Sequence, residues 1–380
     1  MKKVLLLNGC LEPGKDGVGD YSLLFAAELQ NLGLEVLLCS LHDSFIKKVS
    51  QKYSNGLNIT RIPATLSWHK KTKLLESLID ACKPDHISLQ FVIYAFHTKG
   101  LPFRAMYYLQ KVLKRFSSVS LMMHEPWIGR SYQEPAKRRV IGFIQRNMIK
   151  KFIAEVSPKV IHTSNSAFHK LLAYYKIDVK ILPLFSNIPY IPHARLQVEA
   201  WMLANDCIGV GEQLRIGIFG RIPQQWNLKG LLEWLSKENE NAVLLHIGKA
   251  DEDQVRKLSD EINSTIPSLK AYFLGERDTD FVSGFLQTID AGVAVTATQI
   301  LGKSGVAAAY REHGLPIIIA GLDENFRKIN LETILQDDCI SLNHSLDSQR
   351  LKLRRREATN TRCQVARQWV QDVQTTKVLI

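Results

Sequence analysis

Several things a chain of 380 residues often carries are missing from this one. No apolar run approaches the roughly 20 residues that a bilayer-crossing helix needs. The opening run Val4–Leu7 is too short for a signal core and reads as a first strand. Six cysteines (Cys10, Cys39, Cys82, Cys207, Cys339 and Cys363) stand singly, with no C-x-x-C pair. That spacing argues against a zinc site and a disulfide framework, and for a reducing cytoplasm. No basic motif is interleaved with aromatics, so nucleic acid fits poorly as a partner. The familiar nucleotide signatures also fail. A dinucleotide fingerprint needs G-x-G-x-x-G in a tight turn, but after Gly17 and Gly19 the third position is Ser22. A P-loop needs Lys and then Ser or Thr after its last glycine, and here Gly19 is followed by Asp20-Tyr21.

What is present describes a soluble two-domain protein. The hydrophobic fraction is 46% and the charged fraction 23%, ordinary values for a globular chain. Lysine plus arginine minus aspartate plus glutamate is 49 − 37, a net charge of +12. An excess of that size favours an anionic partner, such as acidic lipid or a phosphate-bearing substrate. Continuous apolar runs predict strands at 3–8, 34–40, 86–91, 119–123, 159–163 and 181–184, with helices at 20–32, 70–82, 102–116, 136–154 and 166–175 between them. The pattern lapses over 186–213, and a second strand–helix series starts at "LRIGIFG". The expected fold class is therefore α/β, with two Rossmann-like βαβ domains facing each other across a cleft. The domains are 1–190 and 191–361, with a C-terminal helix 362–380 rejoining the first. Ligands of such sheets sit outside the carboxyl ends of the strands. That places the chemistry at loops 9–20, 124–132, 220–229, 248–251, 275–280 and 300–305.

The loop before the first helix, with Gly17, Val18, Gly19, Asp20 and Tyr21, lies where free backbone N–H groups attract an anion. Asp20 is the expected helix cap. Helix 134–154 combines Lys137, Arg138, Arg139, Arg146, Lys150 and Lys151 with Phe143, Ile144, Phe152 and Ile153. A basic amphipathic helix of this kind either packs on its domain or lies on an anionic membrane surface. The basic stretch Lys352, Arg354, Arg355 and Arg356 reads as a solvated helix face.

In order along the chain, "GVGDYSLLFAAELQNLGLEV", "PDHISLQF", "LMMHEPW", "IHTSN", "ILPLFSNI", "IGIFGRI" and "GKSGVAAAYREHGLPIII" resemble the GT-B glycosyltransferases. The closest likeness is to the large retaining, nucleotide-sugar-dependent family 4, and it covers most of the chain. The resemblance implies transfer of a sugar from a UDP- or GDP-linked donor, used as co-substrate with no cofactor and no metal. It implies a hydroxyl acceptor on a glycan or lipid-linked molecule of the cell envelope, reached from the cytoplasm or the inner membrane face. Arg221 and Lys229 would bind the diphosphate, whose charge grows as the sugar–phosphate bond breaks. They are eight positions apart, wider than the family interval. His124 would contact the donor sugar, and Glu125 would accept sugar hydroxyls or cap its loop. Gly275, Glu276 and Arg277 match the stretch that meets the nucleotide base. Lys303, Ser304, Gly305 and Val306 would offer a helix start to the diphosphate. One departure stands out: the acid that grips the ribose in many relatives would fall at Ala309, and its partner at Leu301. Two other readings of the same residues are a non-catalytic GT-B relative that binds a glycan or partner, and a nucleotide-sugar epimerase of GT-B fold. No convincing pair of cleft carboxylates supports the epimerase.

Overall fold

A computed structural model of the chain describes residues 1–54, 56–209, 211–238, 241–331, 335–343 and 354–376. The chain divides into two compact units. Unit 1 comprises Met1–Leu184, Asn325–Leu331 and Arg362–Ile380, and unit 2 comprises Phe185–Glu324 and Glu332–Thr361.

Unit 1 is built on eight strands: β1 (Lys3–Asn8), β2 (Glu35–Asp43), β3 (Ser50–Ser54), β4 (Leu57–Pro63), β5 (His86–Phe91), β6 (Val119–Met123), β7 (Val160–Thr163) and β8 (Lys180–Ile181). Their order is β3-β4-β2-β1-β5-β6-β7-β8, parallel throughout except for the antiparallel β3–β4 pair. Every residue of β5, β6 and β7 is buried. Burial on both faces holds even the polar residues of β5, where His86, Ser88 and Gln90 alternate with Ile87, Leu89 and Phe91 and are enclosed as fully as they are. The covering helices are α1 (Gly17–Asn31), α2 (Trp68–Cys82), α3 (Phe103–Leu113), α4 (Ala136–Val156) and α5 (Ser166–Tyr174).

Unit 2 carries α6 (Ala194–Ala204), α7 (Leu228–Glu238), α8 (Glu252–Thr265), α9 (Thr279–Thr288) and α10 (Gly305–Glu312). Its strands are β9 (Leu214–Phe219), β10 (Ala242–Ile247), β11 (Lys270–Phe273), β12 (Ala291–Ala294), β13 (Ile317–Ile319) and β14 (Cys339–Ser341). They run parallel in the order β11-β10-β9-β12-β13-β14. In each sheet the first strand lies centrally and the order reverses around it, so both sheets have a topological switch point. For open parallel sheets the carboxyl edge at that point is the place where ligands bind.

The last helix, α11 (Arg362–Thr375), belongs to unit 1. Trp369 is 1% exposed and sets its edge against Phe25 at 5.5 Å and His86 at 5.3 Å. Asp372 accepts hydrogen bonds from His162 Nε2 (3.1 Å) and Lys180 Nζ (2.7 Å). Residues 377–380 of the expected terminal helix lie outside the described residues.

Four expectations need correction. The first helix starts at Gly17, and its cap is Asp16, whose carboxylate accepts from Val18 N; Asp20 instead accepts from Gly14 N at 3.0 Å. Gly17 and Gly19 are thus in the first helical turn, not in a loop. An added Cβ on Gly19 would stand 2.6 Å from the carbonyl oxygen of Cys10, so close packing of α1 on the preceding chain requires that glycine. The β3–β4 hairpin was not anticipated. Residues 354–361 form no helix, and Arg355 donates to the carbonyls of His313, Leu286 and Ile289 rather than lying on a solvated helical face. Lys352 lies outside the described residues. Finally, 325–331 returns to unit 1, where Phe326 bridges Ser131, Tyr132 N donates to Asn325 O, and Arg327 N donates to Arg130 O.

Candidate functional site

The carboxyl edge of unit 2 is built from bare backbone. Gly220 follows β9 with φ +95°, and Gly248 follows β10 with φ +132°. A Cβ on Gly248 would meet the Gly220 oxygen at 2.4 Å, so a side chain is excluded there. Gly220 N donates to Ile247 O and Gly248 N to Gly275 O, each at 2.9 Å, which zips the three strand ends together. His246 Nε2 donates to Gly220 O at 2.8 Å, and burial holds this imidazole below its usual range, so it is neutral and its tautomer is fixed.

Beside this edge α10 begins. Ser304 is its cap, with Oγ accepting from Ala307 N at 3.2 Å, and Val306 reaches within 3.4 Å of where a Gly220 Cβ would stand. A Cβ added at Gly305 meets nothing within 4 Å. The first N–H groups of α10 and the positive end of its dipole therefore adjoin the glycine edge. Lys303 ends the 3₁₀ turn Thr298–Lys303 immediately before it. Arg221, next after Gly220, is exposed. Lys229 stands in the first turn of α7 with its side chain 83% exposed, and Glu233 lies 3.7 Å away. A cation in a first turn opposes the helix dipole, so helix stability does not account for Lys229. Gly275 (φ +70°) and exposed Glu276 sit in the turn after β11. Arg277 is occupied structurally: its Nε donates to Leu274 O, and its guanidinium lies over the rings of Trp201 (4.6 Å) and Phe281 (5.0 Å).

No acid on α10 takes the place of Ala309. That residue is fully buried, and Glu312 is 4% exposed and accepts from Thr361 N and Oγ1, which ties down the segment before α11. A groove of about 860 Å³ beside the loop after β9 is lined by Gln225, Trp226, Lys257 and the carboxylates Asp251, Glu252, Asp253 and Glu261. The excess of carboxylates disfavours a diphosphate in this groove.

In unit 1, His124 follows β6. Its Nε2 lies 3.0 Å from Gln90 Oε1, and Gln90 Nε2 in turn donates to Ser88 Oγ. Gln90 Oε1 can only accept, so His124 carries its proton on Nε2. Burial lowers its pKa to about 4, and the ring stays neutral at physiological pH. Its remaining chemistry is the Nδ1 lone pair, a hydrogen-bond acceptor rather than a cation. Tyr21 packs edge-on against this ring at 5.2 Å and is itself buried, which pushes its hydroxyl pKa up. Tyr21 therefore walls and orients His124. Glu125 is half-buried next to it, and Val18 N is spent on the Asp16 cap. On α4 the buried stripe is Gly142, Gln145, Ile149, Phe152 and Val156. Val140 and Phe143 remain 61% and 57% exposed beside exposed Lys137, Arg138 and Arg139, with Arg146 lying over Phe143 and Tyr175.

Sequence reasoning overlooked one polar network here. Arg61 donates to both oxygens of Asp43 (2.7 and 2.9 Å) and to Glu12, and Asp43 also accepts from Leu11 N. It pins the loop after β1 to β2 and β4.

No family model and no curated protein matches the sequence. Solved structures do match. Sucrose-phosphate synthase from Thermosynechococcus elongatus aligns over 84% of this chain and 81% of its own, at 12% identity with a TM-score of 0.57. The Anabaena HepE protein in complex with UDP and glucose aligns over 99% of this chain and 100% of its own, at 12% identity and a TM-score of 0.57. The chain has the GT-B fold. A glycosyltransferase from Rickettsia africae is likewise similar, with 12% identity, 99% and 89% coverage, and a TM-score of 0.56.

Proposed function

We propose that this protein is a retaining glycosyltransferase that moves a sugar from a nucleoside-diphosphate donor to an acceptor hydroxyl. The observation that carries the reading is the side-chain-free edge of β9 and β10 beside the capped start of α10. Backbone N–H groups and the start of a helix dipole lie there, with exposed Arg221 next after Gly220, and we assign Lys229 of α7 to the same site. The neighbour HepE was solved with UDP-glucose and starch synthase IV from Arabidopsis thaliana with ADP, which fits a donor of this class.

In the reaction the bond between the anomeric carbon and the phosphate oxygen breaks, its electron pair stays on the phosphate, and the acceptor oxygen bonds to carbon as its proton passes to the departing phosphate. Arg221 and Lys229 stabilise the charge that grows on the departing diphosphate, and the first N–H groups of α10 do the same without reorganising. This work requires no metal. His124, neutral and fixed by Gln90, orients a donor-sugar hydroxyl through Nδ1. The acceptor belongs to an envelope glycan or glycolipid, and the exposed Val140 and Phe143 beside the cations of α4 suit peripheral attachment to an anionic membrane. No helix among the described residues is long and apolar enough to cross one.

The test is release of nucleoside diphosphate from a panel of UDP- and GDP-sugars offered with envelope lipids and glycans. Turnover reduced about 100-fold by Arg221→Ala supports the reading. A second reading, a binding protein of the same fold, is favoured by buried Ala309 and by Glu312 being held on Thr361. It predicts nucleotide binding with no release from any donor.

A further inference from the structure

Where β1, β2 and β5 end, at the switch point of unit 1, a second cluster of polar groups has no part in the account above. His42 N donates to Gly9 O at 2.8 Å, and Gly9 packs on Ala95 of the 3₁₀ turn that follows β5. Beneath this edge lies Lys71, with no exposed surface. Its Nζ is 2.6 Å from His42 Nδ1 and 3.2 Å from Ala64 O, and it sits 4.5 Å from the centre of the Trp68 ring. An ammonium can only donate, so His42 Nδ1 must accept and the ring proton must be on Nε2. His42 stacks on Trp68 at 5.7 Å, which fixes the plane of the ring. His97 repeats the pattern. Its Nδ1 accepts from Lys99 N (3.2 Å) and Leu101 N (3.3 Å), so its Nε2 also carries the proton. His97 follows the 3₁₀ turn whose Ala95 packs on Gly9, the residue that accepts from His42 N. Both are half-buried, with one edge open to solvent.

We infer that His42 and His97, backed by the buried Lys71, form an oxyanion subsite at the carboxyl edge of unit 1 that receives a phosphate-type group of the acceptor. The assignment of the group to the acceptor rests on the glycosyltransferase reading; the subsite itself does not. The argument is electrostatic. Among the described residues no carboxylate touches Lys71, whose hydrogen bonds go to neutral groups, and burial lowers its pKa to about 8, which leaves it mostly charged at neutral pH. Asp43 and Glu12, the nearby acids of the same edge, are engaged by Arg61. The bond from Lys71 polarises His42, which strengthens its Nε2–H as a donor. Burial lowers the pKa of His42 to about 4, so the ring remains a donor–acceptor relay rather than becoming a second cation. Two N–H donors at one strand edge, one of them bonded to a buried positive charge, select a negatively charged oxygen group above a neutral hydroxyl.

The test is imidazole ¹H–¹⁵N NMR on the full chain, titrated with inorganic phosphate and separately with glucose. In both rings Nε2 should carry a proton, His42 as the neutral Nε2–H tautomer, and phosphate, not glucose, should shift the Nε2 signals of His42 and His97. Lys71→Met, which keeps the length of the side chain and removes the charge, should weaken that response at least tenfold. UDP or GDP binding should be unchanged in the same variant, which separates this subsite from the donor edge of unit 2. If Lys71→Met does not fold, His42→Gln must show the same loss at His97. An Nδ1–H tautomer at His42 overturns the inference. So does a wild-type phosphate response that is absent, equalled by glucose, or preserved in Lys71→Met.

Discussion

Replacing Gly248 by alanine tests how rigidly the donor edge is built. The residue holds φ +132°, where a side chain costs about 1–3 kcal/mol in backbone strain. The new Cβ would also lie 2.4 Å from the Gly220 oxygen and 2.9 Å from its C and Cα, all backbone atoms zipped to β10. Overpacking of that kind costs about 1–3 kcal/mol. The sum centres near 4 kcal/mol, a large part of the roughly 5–15 kcal/mol that holds a domain folded. With two units a single unfolding free energy is poorly defined, so the assay is native-state hydrogen exchange of the amides in β9 and β10. An increase of roughly 1,000-fold in exchange is expected. Gly305→Ala is the control: its Cβ meets nothing, so protection should hold within about 0.5 kcal/mol while nucleoside diphosphate affinity falls about tenfold. Exchange raised less than about tenfold by Gly248→Ala would refute the geometry proposed for this edge.

Other consequences concern unit 1. Trp369→Ala should cost about 3–5 kcal/mol, measured as lost amide protection in β1 and β5, because the ring is sealed between Phe25 and His86. The protein should lose stability as pH falls from about 6.5 toward 4. Burial lowers His124 to about 4 and His86 to about 3, so the unfolded chain binds more protons throughout that window. His124→Gln should remove about 3 kcal/mol of that loss, visible as a shallower slope in urea midpoints against pH. Vesicle sedimentation checks the membrane face: binding to anionic lipid at low salt should fall with Phe143→Ser and with Arg138→Ala. Equal recovery in the supernatant at low and high salt would contradict it.

Much of the fold was legible because its strands are buried on both sides. Runs such as those of β1 and β6 can be read without knowing their neighbours. The β3 strand could not be read that way: Ser50–Ser54 is polar and mostly exposed, so its pairing with β4 leaves no hydrophobic pattern. The start of α1 was hidden because glycine disfavours helices, and the reason for Gly19 lies in its distance to Cys10, not in its own sequence. In the site, the helix start at Lys303–Val306 was visible as a local motif, whereas the capping of α10 by Ser304 Oγ was not. The role of Lys71 was not: "WHKKTK" reads as a solvated first turn, and only the fold reveals that the second of its lysines is enclosed beneath His42. Arg355 likewise resembled surface charge until three carbonyls converged on it.

The central claim is that the β9–β10 edge with α10 holds a nucleoside diphosphate. Isothermal titration of UDP and GDP into the wild type and into Lys229→Ala tests it most directly. The account predicts saturable one-site binding of at least one of them, weakened about tenfold or more in the variant, as expected for loss of a charge-assisted contact. No binding of either nucleotide to the wild type, or equal binding to Lys229→Ala, would contradict it.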